Sequence, residues 1–302
     1  MVGGRFVGSK RTEEKLRVVR DYLAAYTKAL KGKYFLIYID AFAGTGDYAL
    51  DRGDAGLFSG TGDTEGLVTR PGSAKLALEL EPGFDKLIFI DKDRDSIASL
   101  ERIREQNPGK LIEIRAEDSN AAVRAICSDT RWDSRRGRLL GTRAVTFLDP
   151  FALSVEWETL VAIGRTRAID LWYLFPTNAV GRLLANNPEA IRAGWEARLN
   201  AILGGPWWRE ELYAPFSKQP DLFASTECSK EEKRVARPED VVRRFISKLE
   251  CHFAYVADRP RDLKRNNQPR FSLVFAVANP SRGAIDLAKR VSDHILKNQT
   301  KA

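Results

Sequence analysis

Cysteine and histidine are scarce in this chain, with three and two residues respectively. Cys127, Cys228 and Cys251 lie far apart and form no Cys-x-x-Cys pair, which argues against a structural zinc site and suits a reducing cytoplasm. With His252 and His294 alone, a His-rich metal centre or a Ser-His-Asp triad has little material. Long apolar runs are also missing. No stretch reaches the ~18 residues a membrane span needs, and Met1 to Lys10 has no signal-peptide core. The expectation is a soluble, cytoplasmic protein with no membrane partner. No internal repeat is present, and the Gly-Lys-Ser/Thr of a phosphate-cradling P-loop is absent.

Basic residues, by contrast, are in excess. Lys and Arg number 49 against 41 Asp and Glu, a formal net charge of +8. Such a surface attracts polyanions, nucleic acid being the commonest. Arg131, Arg135, Arg136, Arg138 and Arg143, and the stretch from Arg259 to Gln268, are the candidate phosphate grips. Each also reads as an ordinary solvated loop. The 302 residues suffice for one large α/β domain with an insertion or for two modest domains.

Short apolar runs alternate with helical patterns. Strands are expected at Tyr34–Ile39, Lys86–Ile90, Leu111–Arg115, Ala144–Leu148 and Ile169–Phe175. An amphipathic helix is expected from Thr12 to Lys31, with further helices between the strands. Five repeats of strand and helix predict a parallel, doubly wound sheet. The Gly- and Asp-rich stretch 47–70 reads as a loop. Residues 179–249 look helical, with an aromatic knot at Trp195, Trp207, Trp208, Tyr213 and Phe216. Two strands, His252–Ala257 and Arg270–Val277, then flank the basic loop, and a last helix runs from about Ile285. The expected organisation is a core at 1–178, a helical insertion or cap at 179–249, and a closing β-hairpin and helix at 250–302.

Ligands of open α/β sheets bind beyond the carboxyl ends of the strands. Those ends carry Asp40, Asp91, Asp118 and Asp149 in turn. After Asp40 comes a small-residue loop in which Gly44 and Gly46 let backbone approach a ligand. The third glycine of a dinucleotide fingerprint is missing, which weakens a nicotinamide-enzyme reading. Asp91 can accept both hydroxyls of a ribose, or cap the helix that follows. Asp118 and Ser119 can hold an adenine amino group or form a cap. In Asp149-Pro150-Phe151, carboxylate and carbonyl oxygens can accept from an exocyclic amine while its ring stacks on the phenyl group. That arrangement aims a nitrogen lone pair at a sulfonium methyl; a plain turn is the competing reading.

The order Asp-x-Phe-Ala-Gly-x-Gly, Gly-Ser before a helix, Phe-Ile-Asp and Leu-Asp-Pro-Phe resembles the three-Cys-motif partner (TcmP) family. That family looks like a branch of the class I S-adenosylmethionine-dependent methyltransferases. The likeness is strongest from Thr12 to about Phe175 and over Phe271–Asn279. It implies a Rossmann-like three-layer sandwich around a seven-stranded, mostly parallel sheet whose last strand is antiparallel. It implies S-adenosylmethionine as cofactor, held by Asp40, Phe42, Ala43, Gly44, Thr45 and Gly46, with Asp91 and its neighbour Lys92 at the ribose. Asp118 and Ser119 would lie at the adenine, and Asp149, Pro150 and Phe151 in the catalytic motif. The family's cysteines belong to a partner protein of the radical-enzyme type, so those of this chain have no such role. The long 47–70 stretch departs from the pattern. Two functions stand: methyl transfer to a nitrogen of a nucleic-acid base, or a non-catalytic platform for nucleic acid or a partner protein.

Overall fold

The computed structural model describes residues 7–8, 10–50, 68–216, 231–265 and 268–297. A short strand β1 (Val7–Gly8) precedes helix α1 (Lys10–Leu30). The apolar run after Gly32 is strand β2 (Phe35–Asp40). The stretch read as a loop proves to begin and end in paired strands, β3 (Asp47–Leu50) and β4 (Val68–Pro71), which run antiparallel. Residues 51–67 lie outside the described residues. The chain continues as α2 (Ser73–Leu78), β5 (Lys86–Asp91), α3 (Arg94–Glu105), β6 (Ile112–Ala116) and α4 (Ser119–Asp129). Then come β7 (Thr142–Leu148), α5 (Trp157–Arg165), β8 (Ile169–Phe175) and α6 (Thr177–Leu183).

Between residues 179 and 249 the chain is helical, as its pattern suggests, in α7 (Ala193–Leu203), α8 (Trp207–Leu212) and α9 (Pro238–Leu249). It also makes an antiparallel pair, β9 (Tyr213–Phe216) with β10 (Glu231–Arg234), that its polar composition does not announce. The end of the chain is β11 (Tyr255–Val256), β12 (Arg261–Arg265), β13 (Gln268–Val277) and α10 (Arg282–Lys297). The basic stretch expected to be a loop is therefore largely a strand, β12, paired antiparallel with β13.

The main sheet runs β11-β13-β8-β7-β2-β5-β6, with β12 also on β13. Strands β6, β5, β2, β7 and β8 are mutually parallel, and β13 is antiparallel to β8. The family resemblance implies seven strands, and among the described residues the sheet has eight. The difference is at one edge, where β11 and β12 lie end to end along β13. Pro260 falls between them, and a residue without an N–H cannot continue a ladder.

Side chains alternate across this sheet, as a period of two demands. Leu36, Tyr38, Leu87, Phe89, Val145, Phe147, Trp172 and Phe275 enter one core, against α1, α2, α3 and α10. Ile37, Ile39, Ile88, Ile90, Leu148, Tyr173 and Val274 enter the other, against α4, α5 and α9. The result is a three-layer α/β sandwich around a Rossmann-like, mostly parallel sheet. Phe245 of α9 packs on Phe175 with ring centroids 4.5 Å apart. Trp208 is fully buried and bonded through Nε1 to Asn200 Oδ1 at 2.8 Å. Both belong to the same buried cluster as the sheet.

Candidate functional site

The chain order reverses at β2. From there it proceeds outward through β5 and β6 on one side, and through β7 and β8 on the other. A reversal of this kind leaves a crevice beyond the strands' carboxyl ends. Asp40 ends β2, and Asp149 follows the neighbouring strand β7, so both acids lie at the strand ends that border that crevice.

The loop after β2 is closed by backbone bonds on both flanks. The N–H of Ala41 donates to Phe147 O at 3.2 Å, and that of Ala43 to Ile90 O at 3.1 Å. Gly44 and Gly46 have φ of +58° and +80°, conformations that an L side chain resists. A Cβ on Gly46 would also meet Ile103 Cδ1, so that side chain would have to shift. Thr45 Oγ1 donates to Asp47 O at 2.9 Å, and Ser99 Oγ donates to Thr45 O at 2.8 Å.

The strand pair β3–β4 explains how a helix can follow this loop after some 25 intervening residues. Gly72 N–H donates to Gly46 O at 2.9 Å, and a Cβ on Gly72 would stand 2.9 Å from that same oxygen. The insertion therefore leaves and rejoins at one point. Gly72 becomes the residue before α2, beside Gly46 in space. The third glycine missing from the linear motif is supplied across the insertion. Gly72→Ala should cost roughly 1–3 kcal/mol through overpacking against backbone. Denaturant unfolding checks this, and an unchanged midpoint would show that the closure at Gly46 is not tight.

Asp91 is not the cap of the helix after it; Asp93 caps α3 by accepting from Ser96 N at 2.9 Å. Asp91 instead takes Gly44 N–H at 2.9 Å on Oδ2 and Asp93 N–H at 2.9 Å on Oδ1. It thus tethers the glycine loop to the end of β5, and Lys92 beside it is exposed. Asp118 is the cap of α4, accepting from Asn120 N at 3.0 Å and Ala121 N at 3.1 Å. Ser119 Oγ donates to Ala41 O, joining the end of β6 to the loop. Phe42 is half-buried and Ala43 buried.

Asp40 is completely buried. Its carboxylate accepts from Tyr38 Oη at 3.2 Å and Phe42 N at 3.4 Å, and also from the Ser73 hydroxyl. Desolvation is the larger influence and, with the nearby Asp149 charge, pushes its pKa up to about 7. Asp40 is a held group beneath the loop, not one at the crevice surface. Asp149 is half-buried, and Lys15 of α1 donates to its Oδ2 in an ion pair. No hydrogen bond among the described residues takes its Oδ1. Pro150 is buried. Phe151 has 67% of its surface exposed, the largest exposure among the big apolar side chains described. Ala152 behind it has φ +53°, and Ser154 Oγ holds Phe151 O at 2.9 Å, which fixes the turn.

Lys15 escapes a reading of motifs, and the Gly72-Ser73 pair is read there only as a helix start, without its contacts to Gly46 and Asp40. Lys15 carried a signal nonetheless: it lies one turn before Val18 and Val19 on the apolar stripe of α1, where a cation is out of place unless paired. Trp207 and Trp208 are core or half-core residues, whereas Trp195 is 41% exposed under the Arg192 guanidinium. Among the described residues no group of three His, Cys, Asp or Glu side chains could hold a metal, and no helix is long and apolar enough to cross a membrane.

No protein-family model matches the chain, and no curated protein does. The likeness to the three-Cys-motif partner family therefore rests on the motifs alone. Solved structures are similar in outline. Protein LPL1258 from Legionella pneumophila is 13% identical, with 97% of this chain and 92% of that one aligned and a TM-score of 0.49. The bifunctional kinase-methyltransferase WbdD is 13% identical over 88% of this chain and 39% of its own, with a TM-score of 0.40. For yhhF of Escherichia coli, a candidate methyltransferase, the values are 10%, 72% and 83%, with a TM-score of 0.33. At such identities these structures say nothing of activity, and the Rossmann-like fold of this chain stands on its own strand order and crevice.

Proposed function

We propose that this protein is an S-adenosylmethionine-dependent methyltransferase acting on a nitrogen of a nucleic-acid base. The observation that supports it most is convergence. A glycine cradle built from Gly44, Gly46 and Gly72, the Asp91 carboxylate and the Asp149-Pro150-Phe151 turn meet at one switch-point crevice. A cradle in which Gly44 and Gly46 have positive φ and Gly72 has no room for a Cβ fits close backbone approach by a nucleoside-bearing ligand. Asp91 is placed to accept ribose hydroxyls with the lone pairs left after Gly44 and Asp93. S-adenosylmethionine, when bound, supplies an electrophilic methyl group. Asp149 Oδ1 and the Pro150 carbonyl accept hydrogen bonds from the acceptor amine and orient its lone pair. The exposed Phe151 ring stacks on the base, and its packed turn holds that geometry. The excess of cations suits a polyanionic acceptor, and the sparse cysteines suit the cytoplasm.

One observation favours a second reading, a non-catalytic platform beside a radical-type partner enzyme: Lys15 already engages Asp149. The two separate by experiment. Calorimetry with S-adenosylmethionine and its demethylated product should show binding, and labelled methyl groups should enter DNA or RNA from the host. Asp149→Ala should lower turnover by at least ~100-fold, as loss of positioning does, with cofactor affinity within about threefold. Absence of binding by either cofactor form overturns the proposal. Binding without transfer to any fraction selects the platform.

A further inference from the structure

A second feature lies at the other end of the sheet, about 20 Å from the crevice along a six-residue strand at ~3.3 Å per residue. The amino ends of β2 and β5, the start of β6 and the carboxyl end of α4 enclose a cleft of about 380 Å³. Its floor is apolar, from Phe35, Ile88 and Ile126, and Leu111 at its edge is 57% exposed. Leu140, on the turn before β7, is 50% exposed.

The cations around this cleft fall into two kinds. Lys86 and Arg115 both pair with Glu113 and so complete the sheet edge. Arg131 and Arg136 line the cleft, Arg135 and Arg138 belong to the same turn, and none of the four has an ion pair among the described residues. From Asp129 to Arg143 the chain has five arginines against two aspartates. The turn that presents them is anchored. Trp132 Nε1 donates to Cys127 O at 3.0 Å, Thr142 N to Trp132 O at 2.7 Å, and Leu140 N to Lys33 O at 2.9 Å. Arg136 and Leu139 bridge antiparallel, and the Arg136 guanidinium lies 4.5 Å over the Phe35 ring. A guanidinium stacked on one face offers its other face to a second planar group.

We propose that this cleft is a docking groove for single-stranded nucleic acid. Arg131, Arg135 and Arg138 grip phosphates, and an unpaired base lies over Arg136 on the apolar floor. An acidic peptide would satisfy the arginines but leave the planar stack and the exposed Leu111 without a role. A duplex cannot splay a base into a cleft of this size without unpairing. The groove goes beyond the methyl-transfer reading and does not depend on it, since no residue is shared with the crevice.

The test is fluorescence anisotropy of labelled dT and rU oligonucleotides of roughly 16 nucleotides with the full chain, across a salt series. Wild-type protein should bind, and affinity should fall with salt. Arg131→Glu/Arg138→Glu should weaken binding at least ~10-fold and flatten the log-log salt slope by roughly 1.4, or ~0.7 for each phosphate no longer neutralised. Circular dichroism and denaturant unfolding of the same variant report its fold, so failure here stays distinct from failure of the methyltransferase reading, which cofactor calorimetry tests separately. Without any substitution, a thiouridine-containing strand should crosslink to peptides within 129–143. Equal affinity of variant and wild type, crosslinks confined to other peptides, or a duplex that competes as well as a single strand would overturn the proposal.

Discussion

Lys15→Met is expected to destabilise the folded protein by about 3–5 kcal/mol, the usual cost of removing one partner from a buried ion pair. Lys15 has 8% of its side chain exposed and Asp149 has 24%, so the effect should fall toward the lower end. Without the ammonium, Asp149 is left with no cation, and buried Asp40 stands close enough to feel its charge. Asp40, with its pKa raised to about 7, is charged at about pH 8 and neutral at about pH 5, and like charges repel, so the loss should be larger at the higher pH. Denaturant unfolding at the two pH values measures both parts. Lys15→Met/Asp149→Asn should recover most of the stability, because it removes the unpaired charge as well as its partner. A single variant that loses under ~1 kcal/mol would show that the pair contributes nothing to stability and that α1 holds its place by apolar packing alone.

Stability should also fall as the pH rises from about 4 to about 7. Asp40 and Asp170 are both buried, and in both desolvation is the chief cause of a pKa raised to about 7. The Tyr22 hydroxyl donates to Asp170 at 2.6 Å without offsetting that cost. An unfolded Asp titrates near ~3.9. Between the two values the folded chain binds more protons than the unfolded one, so raising the pH favours unfolding, and above the folded pKa the slope vanishes. A shift of about three units at 1.36 kcal/mol each bounds the effect at ~4 kcal/mol for each group. Two other acids are held below their ordinary values. Asp93 is lowered by the backbone N–H and hydroxyl of Ser96. At Glu113 partial burial is outweighed by Lys86 and Arg115. Their stabilisation is lost only as the pH falls below about 4, outside the window. Asp170→Asn and Asp40→Asn should each flatten the slope, whatever their absolute stability. A wild-type profile that is flat or rising across this window would contradict the assignment.

Much of the fold is legible in the chain itself. Runs such as Tyr38-Ile39 and Phe147-Leu148 place neighbours in opposite cores because a strand turns successive side chains to opposite faces. The acids at the ends of β2, β5 and β7 are legible for the same reason, since a strand that runs apolar to its last residue can admit a charge only where it leaves the sheet. The edge is less so: β11 and β12 share one partner, and only the pairing with β13 shows that a basic stretch is a strand.

What tertiary structure alone decided are meetings between residues remote in sequence. Gly72 completes the glycine cradle because β3 and β4 return the chain to Gly46, and no local periodicity records the closing of that insertion. Lys15 reaches Asp149, 134 residues away, because α1 packs over the crevice side of the sheet. Asp40, which reads as a cofactor residue, is sealed beneath its own loop by Tyr38, Phe42 and Ser73. Its chemical neighbours depend on how strands and helices stack, whereas its position at a strand end depends only on the backbone repeat. The sequence by itself therefore determined the layers, the strand ends and the type of crevice. Packing determined which groups there are exposed, paired or buried, because charge and hydrogen-bond partners are chosen by long-range contacts that no spacing along the chain encodes.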